Sequence, residues 1–187
     1  MKVIGIDPGS RVCGYGILEA QNGEVTYLTS GCIILKPAIP FNQRLKIIYD
    51  DLSKIIDQHA PDVMSVEDVF VAKNVRSAIK LAQAKSMALL AGLNYEIPVH
   101  EYTPTKVKLN ITGRGQADKM EVQNILSQLF GVSTWQSQDA SDAVAIALCH
   151  IHVSEIGMRF EKEFVYARRN RKRRTRFTLQ DISHPDK

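Results

Sequence analysis

The chain has 187 residues, 44% hydrophobic and 24% charged, which fits one globular domain with a sizeable core. No apolar run is long enough to span a bilayer and no signal-peptide pattern leads into Lys2, so a soluble cytoplasmic protein without a membrane partner is expected. The net charge of +4 is uneven: residues 1–156 hold 14 Lys+Arg against 16 Asp+Glu, and residues 157–187 hold 10 against 4. A body of residues 1–156 is therefore expected, followed by a basic C-terminal tail over 157–187. Such a tail suggests nucleic acid or an anionic surface.

The first stretch, "KVIGIDPGSRVCGYGILEA", runs a strand of Val3, Ile4 and Ile6 into Asp7 and then Pro8-Gly9. Taken alone, this is turn chemistry: Pro presets φ, Gly supplies φ > 0 and Asp bonds its own backbone. A ligand role for Asp7 needs partners elsewhere in the chain, because a charge at the end of an apolar strand is costly unpaired. Alternating apolar segments near 2–7, 12–20 and 24–35 predict an antiparallel meander with Pro-Gly and Asn-Gly turns. Leu45, Ile48, Leu52, Ile55 and Ile56 then recur at helical spacing. "PDVMSVEDVF" reads as a buried strand, "NVRSAIKLAQAKSMALLAGLNYE" as a long Ala-rich helix and "IPVHEY" as a short strand. "TGRGQADKMEVQNILSQLFG" gives a Gly-flanked loop and a helix, with Asp118 as N-cap and Glu121 three residues on. "DASDAVAIALCHIHVSEI" is the last helix. This order predicts an α/β fold, a mixed sheet with helices on both faces. Cys13, Cys32 and Cys149 form no CxxC pair and read as free, small buried hydrophobes of a reducing compartment.

Asp139 and Asp142, three apart, share one face at the start of the last helix. Capping and the helix dipole account for one acidic residue there; a same-face pair repels itself unless a cation intervenes. Ala140, Ala143, Val144, Ala147 and Leu148 form the buried stripe beside them, and the alanines let the helix approach a sheet closely. Glu67 and Asp68 end the strand "VMSV", and period-2 alternation does not decide which of them faces the site. Two strand-end carboxylates and a helix-borne pair make an oxygen ligand set, without the Cys or His spacing of a zinc site. That set favours Mg²⁺, with Mn²⁺ as its substitute. Two such ions about 3.5–4 Å apart clamp the attacking and leaving oxygens of a phosphodiester.

"GIDPGSRVCGYG", "VEDVFVAKN" and "DASDAVAIALCH", in that order and at those intervals, resemble the RuvC family of Holliday-junction resolvases. The resemblance spans about residues 1–156. It implies a ribonuclease H-like fold with a five-stranded mixed sheet and a homodimer. It implies a Mg²⁺-dependent endonuclease with two ions per site, making paired symmetric nicks across four-way junction DNA in recombination and repair. It places the catalytic and metal-binding carboxylates on Asp7, Glu67, Asp139 and Asp142, choosing Glu67 over Asp68. It matches Phe70 to an aromatic that stacks on a junction base, against the alternative of a core Phe at a strand end. It matches Lys108 and Lys119 to basic residues near the DNA backbone and active site. Arg114, in the Gly113-Arg114-Gly115 loop, then falls on a phosphate-facing surface. Lys73, Arg76 and Lys80 line up as one basic helix face, DNA-binding or merely solvated. The Ala-rich helix matches the family's dimer interface, and the RuvAB branch-migration complex is an implied partner. The tail "ARRNRKRRTRF" departs from the family pattern and reads as an auxiliary contact or a solubilising extension.

His150 lies on the rim shared with Asp142 and Ile146, where a hydrogen-bonded core histidine is the commoner outcome. Rival readings are an actin-like phosphotransferase, a related nuclease on RNA or other branched DNA, and a non-catalytic junction-binding module. The first needs a second phosphate loop that the sequence lacks. The last sits poorly with a complete carboxylate set.

Overall fold

The structure is a computed structural model, and it describes residues 1–68 and 75–154. Strands β1 (Lys2–Asp7), β2 (Val12–Gln21) and β3 (Glu24–Ile34) form the meander. The β2–β3 turn takes positive φ at both Asn22 (55°) and Gly23 (86°), which matches the right-handed twist of a hairpin. Helix α1 (Phe41–His59) leads to β4 (Val63–Glu67), α2 (Val75–Asn94) to β5 (Val99–Tyr102). Helices α3 (Pro104–Thr112) and α4 (Lys119–Phe130) follow, and α5 covers residues 138–154. The five strands form one sheet in the order β3-β2-β1-β4-β5. Strands β4 and β5 run parallel to β1, while β1, β2 and β3 are antiparallel. The expected mixed α/β sheet with helices on both faces is present.

Alternation along the strands divides the sheet into two chemically different faces. Ile4, Ile6, Met64 and Val66 point to one face, where they pack with Ile48, Leu52 and Ile56 of α1 and with Ala84, Ala88 and Ala91 of α2. On the opposite face β1 and β2 present glycines. A Cβ on Gly5 would lie 2.1 Å from the Ala143 carbonyl oxygen, and one on Gly14 would lie 2.1 Å from that of Asp139. A Cβ on Gly16 would come within 2.5 Å of the Val144 side chain. Helix α5 therefore rests on the strand backbone itself, its Ala140, Ala143, Val144, Ala147 and Leu148 buried. The small-residue stripe expected to allow close approach does so, and glycines across the contact complete it.

Some local expectations change. The Asp-Pro-Gly turn does not use a left-handed glycine: positive φ among the described glycines is confined to Gly23, Gly113 and Gly131. Gly9 is required on steric grounds instead, because a Cβ there would lie 1.9 Å from the Val12 carbonyl oxygen. Strand β4 starts later than predicted, after Ala60 closes α1 with φ 45° and Pro61 stops any further turn. Helix α3 has no counterpart in the sequence reading. Its start is nevertheless conventional: Thr103 Oγ1 accepts from Lys106 N at 3.2 Å, and Pro104 stands in the first turn. Helix α4 keeps the expected cap, with Asp118 Oδ1 accepting from Glu121 N at 2.8 Å. Cys13 and Cys149 are buried free thiols, whereas Cys32 is half-buried and lies 2.7 Å from Ser137 Oγ.

Replacing Gly14 by Ala should push the start of α5 off the sheet, since the clash is with backbone. A loss of about 1–3 kcal/mol is expected, read as a lower Tm, and an unchanged Tm would contradict the packing described. His150 gives a second check. It is buried on α5, its Nδ1 lies 2.8 Å from Tyr102 Oη, and its ring sits 4.7 Å from that of His100. Burial first, and then the charge of His100, push its pKa down to about 4. The unfolded chain binds this proton near pH 6.5. Its contribution to stability is thus complete above about pH 6.5 and drains away as pH falls towards 4. An NMR titration should find His150 neutral down to about pH 4; a midpoint near 6.5 would contradict the burial.

Candidate active site

Four carboxylates of the sequence reading come together at one end of the sheet. Asp7 and Glu67 directly follow the paired residues Ile6 and Val66 on adjacent parallel strands. Both belong to the face that α5 covers: Asp7 is in phase with Gly5, and Glu67 with Ser65. Their carboxylates lie close enough to bear on each other's ionisation. The Asp139 carbonyl packs over Gly14, which pairs with Asp7 in the β1–β2 ladder. Asp142 follows three residues on. The N-terminus of α5, whose dipole favours negative charge, is thus held over the ends of β1 and β4. Ser137 caps that helix by accepting from Ala140 N at 3.2 Å, and the contact with Cys32 ties the cap to β3.

The alternation also settles the choice between the acidic neighbours at the end of β4. Glu67 faces α5 and Asp7. Asp68 takes the other face, where the Lys85 ammonium of α2 donates to its Oδ1 at 2.8 Å and also bonds Glu101 of β5. Asp68 is therefore a strand-end anchor, and no alternation argument from sequence could find this without knowing which face α5 covers.

Collecting these charges is costly without a cation. Burial, and then the charges of Glu67, Asp142 and Asp139, push Asp7 up to about 8, with Lys119 opposing. Burial and the Asp142 charge likewise raise Glu67 above the usual carboxylate range, against Lys119 and Lys108. Lys119 supplies the local positive charge. Its Nζ donates to Asp142 Oδ2 at 2.5 Å. Burial pulls the Lys119 ammonium down, but the bond to Asp142 and the charges of Asp142, Asp7 and Glu67 leave it raised. Among the described residues, no three Asp, Glu, His or Cys side chains already stand as a ready ligand group. The donor chemistry nevertheless fits a hard cation: every donor is a carboxylate oxygen, and the mutual repulsion that raises Asp7 and Glu67 is what such a cation relieves.

Beside the carboxylates opens a pocket of about 190 Å³. Glu67, Asp142, Lys108 and Lys119 give its polar side, and Val107 and Ile146 lie on its apolar side. Lys108, carried by the unforeseen helix α3, and Lys119 are thus brought to the acidic cluster from two separate helices. Arg114 follows the left-handed C-cap Gly113 and pairs with Glu121, so its guanidinium is exposed but tethered. Arg76 is exposed on α2, and Lys80 lies over the Phe41 ring at 5.5 Å. Phe70 and Lys73 lie outside the described residues, as do residues 155 and 156 and the tail over 157–187. His150 bonds Tyr102 in the core, the commoner outcome noted above. The sequence reading missed Lys85 and the Ser137 cap. A serine two residues before Asp139 was the available signal for the cap.

Comparison with known proteins bears on the family and the fold. The family model described as crossover junction endodeoxyribonuclease RuvC matches residues 3–150. The protein of that name from Citrifermentans bemidjiense is 44% identical over 161 residues, covering 86% of this chain and 98% of its relative. Its counterpart from Proteus mirabilis is 47% identical over 154 residues, or 82% of this chain and 88% of that protein. The solved structure of T. thermophilus RuvC in complex with Holliday junction substrate has a TM-score of 0.79 at 28% identity, covering 84% of this chain and 96% of that one. The yeast mitochondrial Holliday junction resolvase Ydc2 shares the fold, with a TM-score of 0.57 at 12% identity over 79% of this chain and 77% of that one. With a family match across most of its length and relatives above two-fifths identity, the chain belongs to the RuvC family of crossover junction endodeoxyribonucleases.

Proposed function

We propose that this chain resolves four-way DNA junctions by paired symmetric nicks in recombination and repair. Asp7, Glu67, Asp139 and Asp142 hold two Mg²⁺ ions, with Mn²⁺ as an effective substitute. The observation that carries the reading is the convergence of Asp7 and Glu67, on adjacent strand ends, with the acidic N-terminus of α5. A junction-bound structure of a relative at 28% identity supports the substrate class. When bound, the ions supply Lewis-acid stabilisation of the phosphodiester and a more acidic water. The chain's own residues do the rest. Strand ends carry two of the ligands and a capped helix the other two, so their backbones are held in place and loading the ions needs only side-chain adjustment. Lys119 pairs with Asp142 and lines the pocket, where its ammonium can also serve a substrate phosphate. Lys108 faces the same pocket, and Arg114 and Arg76 extend the basic surface along the DNA backbone.

The reading includes a homodimer. Its support is a row of exposed apolar side chains on α2, Val75, Ile79, Leu90 and Leu93, with the small exposed Ala82 on the same face; Ala84 and Ala88, which the family resemblance also suggested for the interface, are buried in the core instead. Residues 1–156 form the nuclease domain in this reading. Residues 157–187 add sequence-independent affinity for DNA, Phe70 and Lys73 contact the junction, the RuvAB complex is the partner, and the cytoplasm is the compartment. No helix among the described residues is long and apolar enough to cross a membrane.

Cleavage of a synthetic four-way junction, beside linear duplex and RNA-containing controls, tests the function. Nicking that needs Mg²⁺ or Mn²⁺ and is confined to the four-way junction is expected; equal cutting of duplex or RNA would overturn the assignment. Changing any of the four carboxylates to its amide should abolish nicking and leave junction binding in EDTA roughly intact, and a variant that still cuts at the wild-type rate loses its place in the set. Asp7→Asn should also stabilise the metal-free protein. Its folded pKa is raised from about 4 to about 8, so the ionised form costs stability as pH rises through that window. At pH 7 the amide should raise Tm by several degrees, whereas at pH 4 the gain should vanish. Equal melting of Asp7→Asn and wild type at pH 7 would contradict the burial and repulsion assigned to Asp7.

A further inference from the structure

The end of β4 is held from both faces of the sheet. On the α5 side stands Glu67, half-buried, beside Asp7 and Asp142 and repelled by Asp142. On the other side stands Asp68, bonded by Lys85. The β4–β5 ladder reaches the pair Glu67 and Tyr102, and Asp68 N adds one more bond to the Tyr102 carbonyl oxygen at 2.8 Å. Lys85 crosses this last rung from the α2 side, joining Asp68 after β4 to Glu101 within β5.

Two features mark this bridge as more than a surface ion pair. Among the described ion pairs, the Lys85 side chain is the least exposed, at 12%, against 39% for Asp68 and 45% for Glu101. The acids could be solvated without help; it is the lysine that gives up water, a cost that two charge-assisted bonds offset. Its helix is also a fixed platform. Ala84 and Ala88 on either side of Lys85 are fully buried, and a Cβ on Gly92 would come within 3.0 Å of Met64 Sδ on β4. A largely covered cation on a helix packed against the sheet thus grips the residue next to Glu67.

We infer that Lys85 is a positioning residue for Glu67, pinning the end of β4 from the opposite face so that the Glu67 carboxylate is presented to the metal site. This rests on the reading of Glu67 as a metal ligand given above. Lys85 itself touches neither substrate nor metal. Without it, the strand end is free to yield to the repulsion between Glu67 and the neighbouring acids, and the ligand set loosens.

The test compares Lys85→Met, Lys85→Arg and Glu67→Gln in the full-length protein. Three quantities are measured: the single-turnover rate on saturating junction, the Mn²⁺ binding isotherm of the DNA-free protein, and the junction Kd in EDTA. Lys85→Met should cut the rate at least about tenfold and weaken Mn²⁺ binding several-fold, with junction Kd within about twofold of wild type. Lys85→Arg should restore most of both losses, because it retains a cation able to bridge two carboxylates. If Lys85→Met fails to fold, the triple variant Lys85→Met, Asp68→Asn, Glu101→Gln removes the stranded charges. It should recover the native Tm yet remain slow and weak in Mn²⁺ binding. A Lys85→Met protein, or a folded triple variant, with wild-type rate and Mn²⁺ affinity overturns the inference. A dead Glu67→Gln beside a normal Lys85→Met overturns the inference alone; an active Glu67→Gln overturns the site reading with it.

Discussion

Gly5, Gly14 and Gly16 let α5 lie on the backbone of β1 and β2, and the carboxylate positions follow from that contact. Any side chain at those positions would meet the helix at under 3 Å, and closely packed interiors do not absorb such displacements. Glycine in a strand costs about 0.5–1 kcal/mol in backbone entropy. Burying nearly the whole inner surface of α5 offsets it. The closeness is what brings acids on a helix start within electrostatic reach of acids on two strand ends. With ordinary side chains between them, α5 would stand farther out and Asp7 would have no partners to explain its charge.

The same proximity creates an electrostatic problem that the fold handles by distributing charge. Glu67 and Asp68 are adjacent in sequence, yet alternation sends them to opposite faces, where Asp7 and Lys85 respectively await them. Lys119 partly neutralises the cluster through Asp142. What remains is an oxygen-rich, anionic site with Asp7 and Glu67 both held above their usual range, a state that a divalent cation lowers in energy. The fold holds these acids close despite their repulsion, a local cost of the kind found at functional sites.

Most of the fold was legible because its signals are local. The Asn22-Gly23 turn, the helical spacing of Ile48, Leu52 and Ile56, and the Asp118 cap each need only a few neighbours to be recognised. Helix α3 was not read, since Val107 is its buried residue and so short a helix shows no periodicity, although Thr103-Pro104 marked its start. Of the site, the acidic pair on α5 and the strand-end position of Asp7 stood out. The choice between Glu67 and Asp68 did not follow from the residues, and only the family resemblance made it. Alternation gives two faces but not their labels; those come from which helix covers which face, a long-range fact. Lys85 was invisible for the same reason, as its partners lie 17 and 16 residues away across the sheet.

The central claim is that contact of α5 with the glycine face assembles Asp7, Glu67, Asp139 and Asp142 into one metal site. Anomalous diffraction from crystals soaked in Mn²⁺ addresses it directly. The account expects Mn²⁺ density bounded by those carboxylates at the ends of β1 and β4, lost in crystals of Asp7→Asn. Mn²⁺ bound elsewhere while these four residues remain paired only with lysines and each other would contradict it.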